Sequence, residues 1–320
     1  MKPSPKETPP SAADTGSPRG APSLLKTVRH ILSDEGAKRH PVSTALRLLT
    51  WQAWRRILGR PMAFRTVTGT RLLLLPGASD SLSGFWYYEL PDYEELSFTL
   101  HLLGPSDLFI DVGANQGGWS LTAAGTGARV IAFEPIPLTF QRLQANLAAN
   151  ATEIRNRVQA MPFAVGESPG KAVFTSTLDA GNHLLRDGEA PPGGCIEVEV
   201  GRLDDLLGNE SPTLIKIDVE GEELGVLRGG PKVLARSTLS AVIVETFRPH
   251  NFALPSLIAV EALLRDAGFQ PMQYRPQTRE LRPLEKPSDG SQNTIYVRDA
   301  QSVLKRLKAE RTPAATGAIA

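Results

Sequence analysis

From Asp107 onward, short apolar runs alternate with stretches of helical periodicity, and this alternation restricts the chain more than any other feature. "DLFIDVG" (107–113) reads as a strand and "GGWSLTAAGTG" opens a helix; "RVIAFEP" and "PLTFQRLQANLAAN" repeat the pair. "VQAMPFAVGES" reads as a third strand and "RLDDLLG" as a helical turn. "TLIKIDVEG" is a fourth strand with "EELGVLRGGPKVL" as its helix, and "LSAVIVETF" is a fifth, followed by a helix that Gly268 stops. Strands joined through helices form right-handed βαβ crossovers, so the expected fold is α/β: a doubly wound, mostly parallel sheet covered on both faces. "PMQYRPQTRELRPL" and "QNTIYVRD" read as a closing hairpin that adds an antiparallel edge.

The 320 residues are 41% hydrophobic and 22% charged, enough for a sizeable core. A formal net charge of +1 gives no overall pull towards nucleic acid, and no nucleic-acid partner is expected. Residues 1–20, rich in Pro, Ser and Gly, read as a disordered tail. Residues 21–65 read as a basic extension with two amphipathic helices, in "SLLKTVRHILSDEG" and "STALRLLTWQAWRRILG". This extension either packs on the main domain with a solvated basic face or meets a membrane surface or anionic partner. Residues 66–300 form the main domain and 301–320 a tail. The N-terminus lacks the apolar core of a secretory signal, no window is long enough to span a membrane, and Cys195 has no partner cysteine; a cytoplasmic protein is expected.

The turn after the first strand carries the chemistry. Asp111 ends the strand, and Gly113 and Gly117 let the backbone turn tightly before a helix whose first N–H groups face the cleft. Dinucleotide folds use G-x-G-x-x-G to seat a pyrophosphate, whereas this turn reads Gly113-Ala114-Asn115-Gln116-Gly117-Gly118. An acid two residues before the first glycine repels a pyrophosphate and accepts hydrogen bonds from an ammonium group. Glu134, 23 residues later at the tip of the second strand, is placed for two ribose hydroxyls. An adenosine with a methionine-like tail satisfies both acids, which selects S-adenosylmethionine as the cofactor.

"FIDVGANQGGWSL", "VIAFEPIPLTFQRLQANLAAN", "LIKIDVEGEELGVLRGG" and "VIVETF", in this order and spacing, resemble the FkbM family of S-adenosylmethionine-dependent methyltransferases over about residues 85–300. The resemblance implies a Rossmann-like class I methyltransferase sheet of seven strands, the last antiparallel. It implies methyl transfer to oxygen, typically a hydroxyl of a sugar, glycolipid or polyketide-derived acceptor. It also implies Asp111, Gly113, Asn115 and Gly117 around the methionine part of the cofactor, Glu134 on the ribose, and Phe163 and Ala164 at the adenine.

An alcohol is a poor nucleophile, so a base should take its proton as the new bond forms. Asp218 and Glu220 share one face of the chain as it leaves the fourth strand, and Glu245 ends the fifth; these three are the candidate catalytic residues. The structural alternative is that Glu220 caps the following helix and Asp218 pairs with a nearby cation such as Lys216. His183 and His250 are alternative bases. Three acids on two strand ends are too few to claim a metal. Trp119 and Phe85 to Tyr88 could stack against a sugar, although core packing is the commoner use of such residues. A small-molecule or glycan acceptor is expected. The other readings are a catalytically inactive cofactor-fold module and a methyltransferase for nucleic acid or protein.

Overall fold

The computed structural model describes residues 35–76, 82–176, 182–185, 193–246, 254–285 and 293–309. The 1–20 tail, the helix expected from Leu24 to Asp34, His250 and residues 310–320 lie outside the described residues.

Two helices, Glu35–Arg39 and Pro41–Ile57, lead into a hairpin of β1 (Met62–Arg65) and β2 (Arg71–Leu74). Helices Ser83–Tyr88 and Tyr93–Leu102 precede β3 (Leu108–Val112), helix Gly118–Ala124, β4 (Arg129–Phe133), helix Pro137–Ala148 and β5 (Val158–Met161). Next come β6 (Ala164–Gly166), β7 (Gly170–Thr175), β8 (Cys195–Arg202), a helical turn, and β9 (Leu214–Ile217). Helices Glu223–Arg228 and Pro231–Leu234 follow, then β10 (Ala241–Glu245), helix Leu254–Asp266, β11 (Gln270–Arg275), β12 (Glu280–Pro283), β13 (Asn293–Val297) and helix Ala300–Lys308.

The main sheet has the order β12-β11-β13-β10-β9-β3-β4-β5. Strands β5, β4, β3, β9 and β10 run parallel, and β13 is antiparallel to both of its neighbours, β10 and β11. The parallel strands are apolar nearly end to end because helices cover both faces: β3 (LFIDV) and β9 (LIKI) are buried at every position. One core unites Leu96, Trp119, Leu121 and Leu143 with the sheet, and the other unites Val226, Leu227, Val260 and Leu264. This is the expected Rossmann-like class I architecture, with all five parallel strands of the reading in place.

The structure corrects four details. The described sheet has eight strands rather than seven, because β11 folds back on β12 as an outer hairpin. The antiparallel strand is internal, not an edge: β13 inserts between β10 and β11. "VQAMPFAVGES" is two strands, since Pro162 has no N–H to continue a ladder. The chain there leaves the main sheet, and β6 joins β8 and β7 in a separate three-stranded sheet. Finally, the 301–320 tail begins as a helix. Asp299 caps Ala300–Lys308 by accepting from Gln301 N and Ser302 N; Val303 and Leu307 are buried, and Arg306 donates to both carboxylate oxygens of Asp107 at 2.7 and 2.8 Å.

Candidate active site

At the carboxyl ends of β3, β4, β9 and β10 lies a cavity of about 650 Å³, with the three-stranded sheet contributing another part of its wall. That location is where open α/β sheets bind ligands, and the volume suits a nucleoside-sized molecule and an acceptor. Asp111, Gly113, Asn115, Glu134, Phe163, Ala164, Asp218, Glu220 and Glu245 all line it. Thus every expected site residue but one meets at a single cavity.

The exception is Gly117. It adopts φ +85°, and a Cβ there would sit 2.5 Å from Leu143 Cδ1, so this glycine serves helix packing beneath the turn rather than the cavity wall. Gly113 has a different constraint from the one expected. It lines the cavity, but its close approach is to the protein itself: with φ +83°, an added Cβ would fall 1.8 Å from the Asp218 carbonyl oxygen. Hydrogen bonding between Asp218 N and Val112 O brings those two strand ends together.

Asp111 is fully buried. Its Oδ2 accepts from Ser120 Oγ at 2.5 Å, while its Oδ1 has no partner among the described residues. Burial raises its pKa, and the nearby Lys216 ammonium and the Ser120 hydroxyl hold that rise back. A buried carboxylate oxygen without a donor is costly, so this atom fits a cationic or N–H-bearing group in the cavity. Glu134 is nearly as buried but differently satisfied: Oε2 accepts from Asn115 N and Oε1 from Ile136 N, both at 2.9 Å. Burial pushes its pKa up to about 7, and the two backbone donors moderate the shift. Asn115 holds the turn in place by taking the left-handed conformation (φ 51°) and bonding its Oδ1 to Gln116 N. A carboxylate at each strand tip, one with an orphaned oxygen, suits a ligand with a cationic end and a hydroxylated middle.

On β9 and beyond, Lys216 is buried, donates to Asp218 Oδ2 at 2.9 Å and lies 5.2 Å from the centre of the Trp119 ring. Burial opposes its charge, but Asp218 and Asp111 together more than compensate and raise its pKa. The expected pairing of Lys216 with Asp218 is therefore present. Asp218, Glu220 and Glu245 come together with one oxygen each within 4.8 Å of the others, a spacing that could also bridge a divalent cation. Glu220 does not cap the helix: that position is Glu222, while Glu220 takes φ +57°, a conformation that costs energy in a non-glycine residue and clusters at functional sites.

Of the aromatic group, Phe85 and Trp119 line the cavity, whereas Trp86, Tyr87 and Tyr88 do not. His183 pairs through its main chain with Thr175, and its neighbours Asn182 and Leu184 face the cavity. Sequence reasoning missed Ser120, Asp92, Glu167 and Lys171. Ser120 stands nine residues after Asp111, an interval set by the turn's length, which only the folded backbone defines.

The methyltransferase FkbM domain matches residues 111–271. Methyltransferase sdnD of Sordaria araneosa is 34% identical over 203 residues, covering 52% of this chain and 74% of that protein. Hexuronic acid methyltransferase AglP of Haloferax volcanii is 31% identical over 142 residues, covering 43% of this chain and 55% of that protein. Among solved structures, methyltransferase FkbM from Methylobacillus flagellatus KT aligns with 85% of this chain and 57% of its own at 17% identity and a TM-score of 0.42. The chain thus spans just over half the length of the second and third of these. The family match covers half of the chain, including the glycine turn, both strand-tip acids and the acid cluster: the chain belongs to the FkbM family of S-adenosylmethionine-dependent methyltransferases.

Proposed function

We propose that the chain transfers a methyl group from S-adenosylmethionine to a hydroxyl oxygen of an uncharged, polyhydroxylated acceptor: a sugar, a glycolipid headgroup or a hydroxylated secondary metabolite. The observation that carries this reading is the charge of the cavity wall, where eight carboxylates face two lysines. Such a wall favours a cationic methyl donor and repels an acceptor that brings a carboxylate or phosphate of its own. AglP is named for a hexuronic acid, which supports a sugar as acceptor class; the acidic lining argues here for the uncharged form.

In this reading Asp111 Oδ1 receives the donor's ammonium group, Glu134 the ribose hydroxyls, and Phe163 and Ala164 flank the adenine. Bound, the cofactor supplies an electrophilic methyl on a sulfonium, displaced in line. The protein aligns the acceptor oxygen and excludes water. Asp218, tied to Lys216, orients the acceptor hydroxyl, and Glu220 or Glu245 takes its proton.

The test is transfer of labelled methyl to a panel of neutral sugars, uronic acids, sugar phosphates and oligonucleotides. Labelling of neutral hydroxylated compounds is expected. Preferential labelling of uronic acids, phosphates or nucleic acid would overturn the acceptor assignment. Tight cofactor binding without transfer to any acceptor would mark a binding module.

A further inference from the structure

The helix Pro41–Ile57 buries one face and carries apolar side chains on the opposite one. Thr44, Leu48, Trp51 and Gln52 are buried against the domain. On the other side Val42, Leu46, Leu49 and Ile57 are 61–79% exposed and, with exposed Ala53 between them, follow the helical spacing i, i+4, i+7, i+11, i+15. That is one line of apolar side chains about 22 Å long, open to solvent. Isolated exposed leucines are ordinary, but a line along a helix whose inner face is already buried is not accounted for by packing among the described residues.

Charge identifies what covers it. Residues 35–65 hold seven Lys and Arg against one acid, while the chain as a whole carries +1; the remainder therefore sums to −5. Lys38 and Arg39 before the helix, Arg56 beside the apolar line and Arg60 after the helix are exposed. Two copies meeting through this face would bring two such basic clusters together, which opposes self-association. One file of side chains also covers less than the roughly 800 Å² that each partner gives to a stable protein interface. A narrow apolar line edged by fixed cations matches an anionic bilayer surface, where the side chains enter the acyl boundary and the cations meet headgroups.

We infer that the exposed face of Pro41–Ile57 docks the protein on an anionic membrane. The docking helix is anchored to the domain rather than loosely attached. Thr44 Oγ1 donates to Tyr87 O at 3.3 Å, Arg47 Nη1 to Trp86 O at 2.9 Å and Trp86 Nε1 back to Arg47 O at 2.9 Å, and Arg47 pairs with Glu89. All these partners belong to or adjoin helix Ser83–Tyr88, whose Phe85 lines the cavity, so the membrane face lies one helix away from the cavity wall. This inference stands apart from the acceptor assignment, and either can fail without the other.

Sedimentation of the full chain with vesicles tests it, using phosphatidylcholine alone and phosphatidylcholine with phosphatidylglycerol at three to one. The expected result is binding to the anionic vesicles only, weakened at about 0.5 M salt. The exposed-face variant Leu46→Glu/Leu49→Glu should bind at least about tenfold more weakly, and Arg56→Glu/Arg60→Glu should lose a similar factor together with the salt dependence. Both should unfold at the wild-type temperature, because all four side chains are exposed. Failure of the wild type to bind anionic vesicles would overturn the inference. So would binding unchanged in both folded variants, or a solution dimer that Leu46→Glu/Leu49→Glu dissociates.

Discussion

The two ends of the cavity solve opposite problems with the same functional group. At one end, Asp111 and Glu134 are buried, raised in pKa by desolvation and fixed by Ser120, Asn115 and Ile136. At the other end, Asp218, Glu220 and Glu245 are only partly buried and close to one another. Burial and fixed donors make a carboxylate a rigid receptor for a group that arrives in one orientation. Partial exposure leaves a carboxylate able to exchange protons and to meet a varied acceptor. On the proposed reading, the fixed pair receives the cofactor and the partly exposed trio meets the acceptor.

Four variants test whether the two ends are separate. The largest effect is expected from Gly113→Ala, which sits where the two ends touch: its Cβ would meet the Asp218 carbonyl at 1.8 Å in a left-handed conformation. We expect a loss of about 4 kcal/mol in unfolding free energy, from strain plus overpacking, with loss of both cofactor binding and transfer. Denaturant titration and calorimetry measure the two.

Next, Glu220→Gln/Glu245→Gln should lower kcat about a thousandfold while leaving the cofactor dissociation constant within about twofold. If cofactor binding falls in step with rate, the two ends are not separable.

Glu134 offers a pH test. Its folded pKa of about 7 lies above the ordinary 4.5, so the folded state keeps a proton that the unfolded chain releases between those values. Its contribution to stability is therefore full below about pH 4.5 and is lost as pH rises through 7, by about 3 kcal/mol. Glu134→Gln should remove this slope, as urea titrations across pH would record. Cofactor affinity should rise through pH 7 in the wild type, where the carboxylate forms to accept the ribose hydroxyls, and stay flat in the variant.

The smallest effect is expected from Ser120→Ala, which removes the hydroxyl from Asp111 Oδ2: cofactor affinity should drop by about tenfold at most, with kcat unchanged.

Much of this was legible from sequence because it rests on local pattern. The alternation of apolar runs with helical segments placed the parallel strands, and the strand-tip positions of Asp111, Glu134, Asp218 and Glu245 placed them at one cavity. What was not legible depends on contacts between distant segments. Gly117 read as a ligand contact because a positive φ is visible in a glycine-rich turn, whereas its neighbour Leu143 is not. The helix from Ala300 owes its position to Arg306 reaching Asp107 across the domain, so a short basic stretch looked like a tail. The insertion of β13 between β10 and β11 is a matter of pairing that composition does not encode.

On the proposed reading, Asp111 turns a glycine-rich nucleotide turn into a receptor for a cationic cofactor. Calorimetric titration of S-adenosylmethionine and of NAD into the wild type and Asp111→Asn tests it most directly. We predict that the wild type binds S-adenosylmethionine and not NAD. Asp111→Asn should bind S-adenosylmethionine about a hundredfold more weakly while folding at least as stably, since a buried charge is removed. Unchanged affinity in Asp111→Asn, or comparable binding of NAD by the wild type, would overturn that role for Asp111.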